Sequence, residues 1–325
     1  MMEKILFIAP VFFGYHDDII RQMTILGYDV TFYSDRPSES FFTKAFIRFN
    51  KRLLSRKINK YIDSIVKETK NINFDYVLVI LGQSFSRCHI ERIKQANPNS
   101  FFVYFSWDSV DNFPNILSYR DLFNKIYHFD KKDSTEYGFT FLPLFYSNEP
   151  IECALSYSYS AVFTVKKGKT LKFDLVNRLI PDSFKKNSFV YQYLQSRLLY
   201  FYYKLFTKEL RGRRMKDYRF KKMSRNDFYN VINKSFVVID TQMDNQRGLT
   251  IRTIEALHAK KKIITTNTSI KTYDFYSPHN IFVADGDSKT ISEEFFLTPF
   301  DDSFSVGKDY SLESFVKKLL NKEID

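Results

Sequence analysis

Short apolar runs alternate with amphipathic stretches along the first half of the chain. Lys4–Pro10 (KILFIAP) is unbroken in its apolarity, which predicts a strand buried on both faces. Asp17–Leu26 follows with helical spacing, acidic residues in its first turn and Gly27 as a stop. Asp29–Tyr33 predicts a second strand, Ser40–Lys70 a long basic helix, Tyr76–Leu81 a third strand and Phe101–Phe105 a fourth. Lys125–Phe129 and Phe141–Phe145 are shorter strand candidates. The pattern breaks around Ser147–Ser160, where Asn148, Glu149 and Pro150 read as a linker.

The second half restarts the alternation. Ala161–Val165 predicts a strand and Asp174–Ile180 a helix, while residues 183–222 read as mostly helical and very basic. Phe236–Asp240, Lys262–Thr266 and Ile281–Ala284 predict strands, Leu249–Lys260 a helix between the first two, and 311–323 a final amphipathic helix. A β-α-β-α order favours parallel sheets with right-handed crossovers. The expected fold class is α/β, with two Rossmann-like domains facing a cleft, 1–150 and 151–310, followed by a C-terminal segment 311–325.

Composition narrows the function classes. Lys and Arg number 49 against 37 Asp and Glu, a formal charge of +12. At 44% apolar and 26% charged residues the chain is too apolar for a disordered protein. Phe (35) and Tyr (22) are abundant and Gly (9) is scarce, which argues against glycine-loop and linker-rich designs. Two cysteines, Cys88 and Cys153, make neither a disulfide framework nor a Cys-rich zinc site and fit a reducing, cytoplasmic setting. The first ten residues lack the length and charge of a signal peptide, and no run of 18 uncharged apolar residues is present. His16, His89, His128, His258 and His279 show no metal-ligand spacing, and no GxGxxG, GxxxxGK[ST] or GxSxG sequence occurs.

Candidate chemistry concentrates in Asp240–Tyr276. A buried strand ends at Asp240, and after a polar loop Gly248, Leu249 and Thr250 open a helix whose N–H groups suit a phosphate. Arg252 can offer a charge-assisted fork to a diphosphate, and Glu255 can accept hydrogen bonds from a ribose diol. Thr266 and Asn267 end the next strand, at the edge where open α/β sheets bind ligands. The alternative is an Arg–Glu pair on an ordinary surface helix.

These residues carry a resemblance. The strand, GLTIRTIEAL (248–257) and a strand closing on TTN (265–267) resemble the nucleotide-sugar domain of GT-B glycosyltransferases. More closely, the chain resembles bacterial lipopolysaccharide and capsular-polysaccharide biosynthesis proteins of the CgeB-like glycosyltransferase group. KILFIAPVFFGYHDDI (4–19), FSWDSVDN (105–112), FDKKDSTEYGFTFLPLFY (129–146) and NIFVAD (280–285) extend it over most of the chain. It is weak from 150 to 225, where Lys166 and Lys167 stand in place of a Gly- and Arg-containing phosphate loop.

The resemblance implies sugar transfer from a nucleotide-sugar donor to a saccharide or lipid-linked acceptor, with no metal and no further cofactor. Gly248, Thr250 and Arg252, with Lys166 or Lys167, would stabilise the leaving diphosphate. The catalytic base would come from the first domain. Asp108 is the first candidate, with turn capping as its alternative. Asp17 and His16 follow, Asp17 also fitting a helix-start acid. Gly14, Tyr15 and Trp107 fall on the acceptor side, and the final helix would pack back on the first domain. Arg252→Ala and Glu255→Ala are expected to abolish transfer and spare the fold. Asp285-Gly286-Asp287 superficially resembles the DxD of GT-A enzymes but reads better as a glycine turn. A catalytically degenerate scaffold or sugar-nucleotide-binding protein is the non-enzyme alternative.

Two basic segments remain, 40–62 and 211–222, both interleaved with aromatic or aliphatic residues. They suit an anionic membrane surface, which would place the protein peripherally on the inner face of the plasma membrane. Solvated faces are the plain alternative. Nucleic acid is the rival partner for such a composition and is not expected, because no RNA-binding module is recognisable.

Overall fold

The computed structural model describes residues 2–40, 43, 51–151, 153–165, 169–207, 210, 212–242, 247–285 and 287–322. Much of the basic segment 40–62, together with Lys166 and Lys167, lies outside them. The chain divides into two compact units, Met1–Leu144 with Ser311–Asp325 and Phe145–Tyr310.

The first unit is a six-stranded sheet in the order β2-β1-β3-β4-β5-β6, formed by Lys4–Ala9 (β1), Asp29–Ser34 (β2), Tyr76–Ile80 (β3), Phe101–Ser106 (β4), Lys125–His128 (β5) and Thr140–Phe141 (β6). Every pairing is parallel. β1 and β3, interior and apolar after Lys4, are buried along almost their whole length, as strands covered on both faces must be. Helices Tyr15–Ile25 (α1), Ser55–Thr69 (α2), Arg87–Ala96 (α3) and Lys131–Tyr137 (α4) connect them. α2 buries Ile58, Ile62, Ile65 and Thr69 at helical spacing, while Arg56, Lys57 and Lys60 are exposed. Its basic face is therefore exposed on a helix docked through its apolar one. β6 stops after two residues, short of the expected Phe141–Phe145 strand, because Pro143 has no N–H for a ladder. The helix Leu312–Leu319 (labelled α11 in chain order) belongs to this unit, with Phe315 edge-on to Phe105 of β4 at 4.9 Å and Tyr127 donating to the Lys318 carbonyl.

The second unit is a five-stranded parallel sheet, β11-β10-β9-β7-β8, built from Tyr157–Thr164 (β7), Ser188–Tyr193 (β8), Ser235–Asp240 (β9), Lys262–Thr265 (β10) and Ile281–Val283 (β11). Its helices are Lys169–Leu179 (α5), Asp182–Lys185 (α6), Arg197–Phe206 (α7), Arg225–Asn233 (α8), Ile251–His258 (α9) and Glu293–Leu297 (α10). The stretch 183–222 is not mostly helical as expected. Ser188–Tyr193 is rich in aromatic residues, fits a half-buried pleated edge and pairs with β7, and among the described residues from the end of α7 to 222 the one helical turn is Met215–Asp217.

Both sheets thus share one topology. The chain starts on a central strand, adds a neighbour on one side, then crosses to the other, so that the order reverses between β1 and β3 and again between β7 and β9. Ligands of open α/β sheets bind outside the carboxyl ends of the strands at such reversals.

Candidate functional site

In the second unit the reversal lies between the loop leaving β7 and the loop joining β9 to α9. β9 ends in Asp240, which is buried. Thr250 caps α9 by accepting from the Thr253 N–H, and the hydroxyls of Thr250 and Thr253 both donate to Asp240 Oδ2, the latter at 2.7 Å. The carboxylate therefore fixes the start of α9 against the strand end. Arg252 Nη2 lies 3.4 Å from Asp240 Oδ1, and Arg252 Nη1 donates to the Val162 carbonyl of β7. The guanidinium thus bridges the two strands that flank the reversal.

Glu255 is buried one turn further along α9 and accepts from the Tyr229 hydroxyl of α8. The phenol is pushed up to about 12, first by burial and then by the charge of Glu255. Arg225 stands over the Tyr229 ring at 5.4 Å and donates to Ser147 Oγ at 2.7 Å. The alternative of an exposed Arg–Glu surface pair does not describe these residues: Arg252 and Glu255 engage different partners inside the unit.

Gly248 is buried beside this start of α9. Thr266 donates to Gln242 Oε1 at 2.9 Å and Asn267 Nδ2 donates to the Arg247 carbonyl at 2.8 Å, so the end of β10 holds both described ends of the β9–α9 loop. Lys172 of α5 reaches the Gln242 carbonyl at 3.4 Å. Gly248, Thr250, Arg252, Thr266 and Asn267 therefore gather at one carboxyl edge, with Glu255 behind them.

In the first unit the reversal carries strained backbone on both sides. Phe13 (φ 50°) precedes Gly14 (φ 75°), and Leu81 (φ 60°) precedes Gly82 (φ 60°). A non-glycine residue in the left-handed region is uncommon and persists only where its surroundings enforce it. One enforcing group is Asp35, just past β2. It accepts from the Gln83 N–H at 2.9 Å and from Arg36 Nε at 2.7 Å, and its carbonyl accepts from Ser84. Burial pushes this carboxyl up, against the pull of Arg36.

The candidate bases sit around the same edge. His16 is buried against Phe32, with Nδ1 unpartnered among the described residues and Nε2 3.5 Å from Asp17 Oδ1. Asp17 is exposed in the first turn of α1. Asp108 follows β4 and accepts through Oδ1 from the Ser109 N–H and from Asn112, both at 2.9 Å, the bonding of a turn cap. Gly14 is the left-handed residue before α1. Tyr15, the first residue of α1, is buried. Trp107 is half-buried, 6.4 Å from the half-exposed ring of Phe12. Asp285 accepts from Ser288 and from the Asp287 N–H, the bonding of a turn. Among the described residues no three His, Cys, Asp or Glu gather as a metal set.

Sequence reasoning missed Asp240 as organiser, the Tyr229–Arg225 support of Glu255, the Asp35–Arg36 pin and Phe12. An acidic residue at the end of each of two apolar strands was the available signal for Asp35 and Asp240. Tyr229, the donor to Glu255, lies 26 positions away in the chain, and the Arg225 that stands over its ring lies 30 away, so neither leaves a local pattern.

No family model matches the chain, and no curated protein matches it in sequence. Solved structures do match. The apo structure of OtsA superposes with a TM-score of 0.62 at 9% identity, over 99% of this chain and 100% of that one. Sucrose-phosphate synthase from Thermosynechococcus elongatus gives 0.55 at 8%, over 98% and 95%. An alpha-glucosyltransferase in complex with UDP and a 13-mer DNA gives 0.54 at 12%, over 98% and 90%. Likeness at this identity is a statement about fold: the two α/β units are those of the GT-B glycosyltransferase architecture.

Proposed function

We propose that the protein is a glycosyltransferase that moves a sugar from a nucleotide-sugar donor to a saccharide or lipid-linked acceptor. The observation that carries the reading is the coincidence of a whole-chain GT-B fold with a polar carboxyl edge in the second unit, where α9 begins on Thr250. Similar structures include an alpha-glucosyltransferase complexed with UDP. The donor would bind to the second unit. Its diphosphate would lie at the start of α9 near Gly248 and Thr250, with Lys166 and Lys167 as further cations. Glu255, oriented by Tyr229, would take the ribose hydroxyls.

Transfer breaks the bond between the anomeric carbon and the diphosphate oxygen, and an acceptor hydroxyl forms the new one and loses its proton. The negative charge stays on the leaving nucleotide, so helix N–H groups and cations meet the need without a resident metal. Asp108, Asp17 or His16 of the first unit would take the proton. Asp108, whose Oδ2 accepts no hydrogen bond among the described residues, would be the first choice. The half-exposed rings of Phe12 and Trp107 would give the acceptor an apolar platform.

The sequence resemblance to lipopolysaccharide and capsular-polysaccharide biosynthesis proteins supports a cell-surface polysaccharide precursor as acceptor. It also supports work at the inner face of the plasma membrane, with segments 40–62 and 211–222 towards anionic lipid. No helix among the described residues is long and apolar enough to cross a membrane.

The test is a thermal-shift panel of UDP-, GDP-, dTDP- and CMP-sugars with their free nucleotides. A ligand of the native state alone raises apparent stability in proportion to RT ln(1 + [L]/Kd). One nucleotide class should raise the Tm of the wild type and do so less for Glu255→Gln. No shift with any of them would remove the donor reading, and a shift without turnover on any acceptor would favour a sugar-nucleotide-binding scaffold.

A further inference from the structure

Helix α7 is apolar on two faces, and among the described residues only one is covered. Leu199, Tyr200 and Tyr203 turn inward onto a small cluster with Val165, Leu194, Leu210 and Tyr218. Leu198, Phe201, Tyr202, Leu205 and Phe206 recur at helical spacing on the other side and form a continuous stripe. Leu198 is 82% exposed, Leu205 74% and Phe206 73%. Single exposed apolar residues are ordinary, but five on one face mark an interaction surface.

The charge around the stripe specifies its partner. Arg197 and Lys204 are exposed on the helix itself, and Arg214, Lys216, Lys221 and Lys222 are exposed in the segment that follows. Over 212–222, Asp217 is the sole acidic residue, and its carboxylate accepts the Arg214 N–H. A second copy of this chain would bring the same basic cluster against itself, on a molecule already at +12. An apolar stripe on a helix that itself exposes Arg197 and Lys204, with more exposed cations in the segment that follows in the chain, instead matches an anionic bilayer interface, where phosphates lie above acyl chains. The 10-residue helix is about 15 Å long, half the hydrocarbon thickness, so it fits the plane of the interface rather than a span.

We infer that α7 is a membrane-docking helix, its Leu198–Phe206 stripe seated among the acyl chains of an anionic bilayer and the exposed Arg197, Lys204, Arg214, Lys216, Lys221 and Lys222 turned to the lipid phosphates. The inference deepens the membrane part of the proposed function and does not depend on sugar transfer.

The test is co-sedimentation of the full chain with phosphatidylglycerol-containing vesicles and with phosphatidylcholine vesicles, beside light scattering on the free protein. The wild type should be monomeric and bind the anionic vesicles at least about tenfold more tightly. Phe201→Ser with Leu205→Ser should weaken that binding by about tenfold or more at unchanged Tm, since both side chains are exposed. Lys216→Glu with Lys221→Glu should weaken it in a salt-dependent way. Equal binding by the apolar variant would overturn the inference, as would no binding by the wild type or a dimer that the apolar variant dissociates. Binding of single-stranded RNA, steeply salt-dependent, in place of vesicles would overturn it in favour of nucleic acid. Failure here with an intact nucleotide-sugar thermal shift would leave sugar transfer standing, and the converse result would leave α7 docking standing without it.

Discussion

Arg252 and Asp240 stand 3.4 Å apart at the carboxyl edge of the second sheet, and the same guanidinium holds the Val162 carbonyl of the neighbouring strand. Arg252 is therefore a structural brace as well as a candidate phosphate ligand. Arg252→Ala should cost about 1–3 kcal/mol, because it takes the cation from beside a buried carboxylate and a donor from the Val162 carbonyl. Arg252→Lys should recover only part of the loss, since one ammonium cannot serve both partners. Denaturant midpoints of the two variants check this directly.

Tyr229 and Glu255 make a second linked pair. Tyr229→Phe removes the donor to a buried carboxylate and should cost about 1–2 kcal/mol. If Glu255 contacts the ribose, the same change should also weaken nucleotide binding, read as a raised Kd by calorimetry at a temperature where the variant is fully folded.

The C-terminal helix is part of the core of the first unit. Phe315 is fully buried against Phe105, so Phe315→Ala should destabilise by about 3–4 kcal/mol. Donor binding by the folded fraction should be unchanged, because the pair lies in the first unit. Urea unfolding followed by nucleotide titration separates the two effects.

His258 gives the pH dependence a sign. Its ring stacks on Tyr146 at 3.5 Å, and burial holds it below its ordinary value of 6.5 while Glu149 pulls the other way. The folded state thus prefers the neutral ring. The stability this confers is present above 6.5 and lost as pH falls through 6.5 towards the folded value. His258→Gln should flatten the decline in Tm between about pH 7.5 and about pH 5.5. His128, also held low by burial, should leave a residual slope of the same sign.

Strands β1, β3, β4 and β9 were legible because strands covered on both faces must be apolar along their length, and KILFIA and FVVID are. The start of α9 was legible from Thr250 and Gly248, residues whose local chemistry has few other uses. β8 was not, because its alternation is interrupted and an aromatic helix follows at once. The pairing of Arg252 with Val162 was also hidden. It depends on which strand lies beside β9, and that is decided 90 positions away in the chain.

The central claim is that the second unit takes a nucleotide at the carboxyl edge shared by β9, α9 and β10. Hydrogen exchange with and without a saturating nucleoside diphosphate tests it most directly. Slowed exchange over 248–258 and 265–270, with 10–36 unchanged, is the result the account predicts. Protection confined to the first unit, or none at all from a nucleotide that binds, would contradict it.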